Sequence, residues 1–196
     1  MELANQYKEE FIRIYKENIH REGADELLSY LEKSDFFVAP SSSRFHSAFE
    51  GGLCLHSINV FNRLVAALKL DNKIGENGYN METVAIVSLL HDLCKVNYYV
   101  GTKRNKKQED GTWIQVDSYS VNEVFPYGHG EKSVWIIMQF MKLSAEESLA
   151  INWHMGGFDL RVQGGSYQEG EAYSKYPLCV YLQVADMMAS YLDETR

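Results

Sequence analysis

A chain of 196 residues, 45% of them apolar, is long enough to bury one sizeable core and short for two ordinary domains. Its formal charge of -8 excludes a surface built to coat long nucleic acid, whose phosphates demand a broad basic footprint. No run of about eighteen apolar residues is available to cross a membrane, and the start from Met1 to Glu10 lacks the basic and apolar regions of a secretory signal, so a soluble, cytoplasmic protein is expected.

Leu3, Tyr7, Phe11 and Ile14 recur at the spacing of one helix face, and Asp25 is placed to cap a second helix carrying Leu27, Leu28 and Leu31. From Ser34 to Gly52 the pattern breaks into Ala39-Pro40, three serines and Gly51-Gly52, a loop leading into a helix with Leu55, Ile58, Phe61, Leu64 and Leu68. Asn80 caps a helix predicted to run to Leu93. Its Ala85 to Leu90 stretch is apolar all round and belongs at the centre of a fold. Tyr98-Tyr99-Val100 and Trp113-Ile114-Gln115-Val116, separated by a basic stretch and Asp110-Gly111, predict a β-hairpin.

Helices resume from Glu131 to Met141. Ser144-Ala145-Glu146-Glu147 has capping-box spacing for a helix to about Met155, which Gly156-Gly157 can end. Pro177 suits the first turn of a last helix ending near Glu194. The expected fold is all-α: one domain over residues 1–196 with about seven to nine helices, N-terminal helices and the approach loop in residues 1–50, and one small β-hairpin inserted over residues 97–122.

Asp92 and Asp186 fall in segments otherwise too apolar to welcome a charge, and buried charge needs compensation. An imidazole beside a carboxylate, as in His91-Asp92, suits Zn, Mn, Fe, Co or Ni, with Mg favoured where oxygen ligands dominate. For Asp186 taken alone, a hydrogen bond to a neighbouring helix explains a mid-helix carboxylate equally well. Cys54, Cys94 and Cys179 are too few and scattered for a disulfide framework. Cys54 would point away from His56 on a helix. Cys94 can share the face of His91, but small buried hydrophobe is the usual role of such a residue. Gly128-His129-Gly130-Glu131-Lys132-Ser133 lacks the ending and the preceding strand of a phosphate loop.

Gly51-Gly52-Leu53-Cys54-Leu55-His56-Ser57, Leu89-Leu90-His91-Asp92-Leu93-Cys94-Lys95, Gly128-His129-Gly130-Glu131, Asn152-Trp153-His154 and Ala185-Asp186 follow one another at separations of a few tens of residues. Together they resemble the ordered H, HD, H, H, D signature of HD-domain metal-dependent phosphohydrolases, over roughly Arg44 to Leu192. The resemblance implies an HD-type helical bundle in which His56, His91, Asp92 and Asp186 hold one divalent metal while His129 and His154, with Asp92 bridging, hold a second. It also implies hydrolysis of a phosphomonoester or phosphodiester, with water as nucleophile and a small phosphorylated substrate such as a nucleotide. Lys95 resembles the lysine that meets substrate phosphate in this family, a helix-end cation being the plainer reading.

Arg44 and His46, just before the first ligand helix, are the right types to clamp phosphate oxygens. Lys103-Arg104-Asn105-Lys106-Lys107, with Tyr98, Tyr99 and Trp113 nearby, suits a nucleotide or a short single strand as well as it suits a solvated hairpin tip. Two other functions share this ligand pattern: a di-iron oxygenase, and a module that senses a nucleotide without turning it over.

Overall fold

The structure, a computed structural model, describes residues 2–76 and 78–194; Met1, Asn77, Thr195 and Arg196 lie outside the described residues. Helix dominates: α1 (Glu2–Asn18), α2 (Ala24–Lys33), α3 (Gly52–Leu70), α4 (Met81–Leu90), α5 (His129–Met138), α6 (Ala145–Asn152), α7 (Leu160–Gln163), α8 (Gln168–Lys175) and α9 (Pro177–Met188). The one sheet among the described residues is the hairpin of β1 (Tyr99–Lys107) and β2 (Trp113–Val121). Helix α3 packs on α1, α4 and α9, while α6 packs on α5, α4 and α9. Leu53, Leu64, Leu68, Val84, Ile86, Leu89, Leu90 and Leu182 are fully buried where these helices meet. No described helix is long and apolar enough to cross a membrane.

Local chemistry explains most of the boundaries. Asn80 caps α4 by accepting from the Thr83 N–H at 2.7 Å, and Ser144 and Glu147 complete a reciprocal capping box on α6. Pro177 occupies the first turn of α9, where its missing N–H costs nothing. Asp25, expected as a cap, is not one. Gly23 takes that position at φ 87° without a side-chain bond, because a Cβ there would run into the Phe140 carbonyl. Asp25 lies instead in the first turn, where its charge still suits the helix dipole.

Three helices stop earlier than their patterns predict: α5 ends at Met138 and not at Met141, and the early ends of α4 and α6 both serve the site. Helix α4 ends at Leu90 because the Cys94 N–H donates across to Ser133 Oγ at 3.0 Å instead of continuing the ladder, and residues 93–95 tighten into a 3-10 turn. Helix α6 ends at Asn152, which leaves Trp153 and His154 in the turn that follows. The basic stretch Lys103 to Lys107 lies within β1 and not in the hairpin loop. Tyr99 stands opposite Val121 and Lys107 opposite Trp113, and Gly111 closes the turn at φ 86°. After Met188 the last helix widens into a π-helical stretch, Ala189–Asp193, and Glu194 follows in extended conformation. Such π-helical segments are often found at functional sites.

Candidate metal centre

Six side chains from five segments meet at one end of the bundle. His56 comes from the first half of α3, His91 and Asp92 from just past the end of α4, His129 from the first residue of α5, His154 from the turn after α6, and Asp186 from the last turn of α9. His56, His91, Asp92 and His154 are buried, whereas the side chains of His129 and Asp186 keep 30% and 16% of their exposure. The short connection between α5 and α6 brings the rings of His129 and His154 within 5.2 Å, centroid to centroid.

Three of the four imidazoles have their Nδ1 side committed to a protein acceptor. His56 Nδ1 lies 2.8 Å from Glu194 Oε1, His91 Nδ1 lies 2.8 Å from the Ser88 carbonyl, and His154 Nδ1 lies 2.6 Å from the Ile151 carbonyl. An N–H donated there orients the ring and leaves Nε2 facing inward, as metal-ligating histidines are held. The Nε2 atoms of His56 and His91 are 3.2 Å apart, and Asp186 Oδ1 is 3.2 Å from the former. Asp92 sits between the halves of the group. Its Oδ2 is 3.5 Å from both of those nitrogens, while its Oδ1 is 2.9 Å from His129 Nε2 and 3.5 Å from His154 Nε2.

These groups can hold a metal ion. The Nε2 atoms of His56 and His91, 3.2 Å apart, have the spacing of nitrogens bound to a common ion at about 2.0–2.1 Å, which fall roughly 3 Å apart. His154 Nε2 points the same way: it is buried and makes no close hydrogen bond among the described residues, with the Asp92 carboxylate 3.5 Å away, an arrangement that a bound ion would complete. Both observations concern the chemistry of the donor set, and both fit a resident cation.

The charges are arranged to match. Burial opposes ionisation of Asp92, but the Lys95 ammonium and the surrounding imidazoles hold its pKa well below the ordinary carboxylate range; Lys95 Nζ is 2.5 Å from Asp92 Oδ2. Burial pushes His91 down to about 3, which keeps it neutral. Burial also opposes a charge on His56, yet hydrogen bonds to Asp186 and Glu194 outweigh it and raise that imidazole to about 10. His129 is shifted downward, again chiefly by burial.

Comparison of the chain with family models, curated proteins and solved structures found no match.

The remaining expected residues divide. Lys95 lies in the same cleft wall as His129, so its ammonium reaches both Asp92 and the space beside the centre. His46 approaches as well, with its ring 5.0 Å from that of His56 and its Nδ1 2.8 Å from Glu194 Oε2. Arg44 does not accompany it. The guanidinium lies exposed over the Phe45 ring, in a depression shared with Arg104 and Asp117 of the hairpin, so the two do not form one clamp. The hairpin separates its parts in the same way. Tyr98 lines the cleft at its base, Tyr99 is hydrogen-bonded at 3.5 Å to the Ser41 carbonyl, and the cations from Lys103 to Lys107 are exposed farther along the strand.

Sequence reasoning missed Glu194. Its carboxylate is shielded from solvent and receives His56, His46, Ser47 Oγ at 2.7 Å and Asn59 Nδ2 at 3.4 Å. Burial works against the charge, but the His46 and His56 bonds lower its pKa far below the usual value. The charged run Asp193-Glu194 resembles an ordinary solvated helix end. A usable signal was present, however: Asp186, Ser190 and Glu194 recur every four residues along an apolar segment. Glu194→Gln is expected to weaken metal binding about 10- to 100-fold, as loss of a carboxylate behind a ligating histidine does elsewhere. Competition with a chromophoric chelator measures it, and circular dichroism should be unchanged.

Proposed function

We propose that the chain is a metal-dependent phosphohydrolase of the HD type, cleaving a phosphomonoester or phosphodiester, with a nucleotide as the favoured substrate. The observation that carries this reading is the ordered convergence of His56, His91, Asp92, His129, His154 and Asp186, with three imidazoles locked so that Nε2 faces a shared carboxylate. On this reading His56, His91, Asp92 and Asp186 hold one divalent transition metal (Mn, Fe, Ni, Co, Zn or, less suited, Mg), and Asp92, His129 and His154 hold a second. Bound there, such ions supply Lewis acidity that lowers the pKa of water and draws charge from a phosphoryl group.

The chain's own residues provide the rest. A cleft of about 430 Å³ opens beside His129, and Lys95, Lys132 and Arg161 contribute cations to its wall. Lys132 is held by Glu123 at 2.9 Å and lies over the Tyr98 ring, while Arg161 is held by Asp159 at 2.6 Å and stacks on Trp153. Both are therefore positioned before any substrate arrives, which reduces the ordering cost of binding an anion. Of the three N–H donors of Lys95, one goes to Asp92, and among the described residues no other hydrogen bond takes the remaining two, which suit a phosphate oxygen. Asp92, His91, Lys95 and Lys132 are buried, so the Lys95 and Lys132 charges act in a lower dielectric than bulk water.

A panel of phosphomonoesters and phosphodiesters, each assayed with Mn, Mg, Co, Ni, Fe and Zn, tests the reaction. Phosphate or alcohol release that a chelator abolishes supports the proposal; no turnover by a protein shown to carry metal overturns it. Proton release gives a second check. The His56 imidazole, raised to about 10, retains its proton at pH 8 in the metal-free protein, and metal must displace it. The binding enthalpy measured by calorimetry at pH 8 should therefore differ between buffers of different ionisation enthalpy. The sign for stability is the same: the ion pairs of protonated His56 are fully present below about pH 6.5 and are lost as pH rises through about 10. Metal affinity should accordingly increase over that interval while the stability of the metal-free protein declines.

A further inference from the structure

The chain has 27 carboxylates against 19 lysines and arginines, and the cations around the centre are held by acids, as Lys95, Lys132 and Arg161 are. Arg44, Lys103, Arg104, Lys106 and Lys107 are different. All five are exposed, and among the described residues none is ion-paired. Arg44 and Arg104 come from separate segments, the loop before α3 and strand β1, yet they line one depression of about 200 Å³ with Ser43, Phe45, Phe49 and Ser118. Asp117 is the one carboxylate in that lining, so the two guanidiniums leave a positive charge over. Phe45 and Phe49 remain 61% and 37% exposed there.

Guanidiniums and hydroxyls suit phosphate oxygens, and an exposed ring suits the face of a base; together they match a nucleotide unit. The depression also lies beside the metal centre. His46, next to Phe45, turns the other way and reaches Glu194 behind the metal ligand His56. Tyr99, at the foot of β1, donates to the Ser41 carbonyl and ties the hairpin to the same loop. Lys106 shares a strand face with Arg104 and carries the positive surface onward along β1.

We propose that this depression and the adjoining face of β1 form a docking track for a short single strand of nucleic acid, whose end the loop delivers to the metal centre. This rests on the phosphodiester reading above for what is done to the strand, and it makes the substrate an oligonucleotide. Bases paired in a duplex present no free face to Phe45 or Phe49, so single strands are preferred. The formal charge of -8 confines the contact to the few phosphates that the track itself meets.

Fluorescence anisotropy on the full chain, with a chelator present so that no strand is cut, measures binding apart from turnover. The probes are fluorescein-labelled oligothymidylate and oligouridylate eight nucleotides long, with a duplex of equal length for comparison. At least one single strand is expected to bind, and more tightly than the duplex. With about three phosphate contacts the affinity should fall roughly 20-fold between about 50 and 200 mM salt. Arg104→Gln should weaken binding about 10-fold and flatten the logarithmic salt slope by about 0.7. Phe45→Ala should weaken it about 5-fold or more and leave the slope unchanged. Lys69→Gln, which removes an exposed cation at the far end of α3, should have no effect. All three side chains are exposed, and circular dichroism checks that the fold is kept. No binding of either strand at low salt overturns the proposal and leaves the hydrolase reading standing. Affinity unchanged in both Arg104→Gln and Phe45→Ala, an equal loss in Lys69→Gln, or a duplex bound as tightly as the single strands also overturns it. Strand binding by a metal-loaded protein that hydrolyses no phosphate ester counts against the hydrolase reading and leaves the track standing.

Discussion

Replacement of Asp92 by alanine is expected to abolish hydrolysis and to remove more bound metal than any other single substitution. Its carboxylate offers one oxygen to each half of the centre: Oδ2 faces His56 and His91, and Oδ1 faces His129 and His154. The change also strands Lys95, a buried ammonium whose carboxylate partner is Asp92. Removal of one member of a buried ion pair costs about 3–5 kcal/mol because the remaining charge has lost its compensation. In a chain of this size that is a fall of roughly 6–20 °C in Tm. Elemental analysis, turnover and thermal unfolding of the metal-free variant measure the three effects separately. Full metal content with intact turnover would contradict a shared carboxylate. Asp186→Asn provides the contrast. It removes charge from the half of the centre formed with His56 and His91 and should weaken metal binding there with little change in helical content.

The second large effect concerns stoichiometry. His129→Ala and His154→Ala are each expected to lower bound metal from two ions towards one, while the His56, His91, Asp92 and Asp186 set remains loaded. His129 begins α5 and His154 follows α6, and only their side of Asp92 depends on them. Two ions retained in both variants, by elemental analysis on protein passed through a desalting column, would show that these imidazoles are not ligands.

The helices that carry the site were legible because their signals are local. Asn80, the Ser144 to Glu147 box and Pro177 act within one turn of the helices they start, and all three behave as their chemistry dictates. The side chains that meet at the centre also stood out, since charged or imidazole groups in apolar segments must find compensation. Illegible were the features set by tertiary contact. Gly23 displaces Asp25 as a cap only because the Phe140 carbonyl crowds it from over a hundred positions along. The end of α4 depends on Ser133, a residue of another helix. Arg44 and His46 are neighbours in sequence, yet one is drawn inward by Glu194 and the other turns to the surface. Glu194 itself reaches His56 from beyond the π-helical stretch that follows α9.

Anomalous diffraction at the absorption edge of the bound metal tests the centre most directly. Crystals of the zinc- or cobalt-loaded protein are expected to show two peaks, one bonded to His56, His91, Asp92 and Asp186 and the other to Asp92, His129 and His154, each nitrogen at about 2.0–2.1 Å from its ion. A single peak held only by the first set, with His129 and His154 more than about 4 Å from it, would contradict the second position. Peaks that avoid all six residues would contradict the centre as a whole.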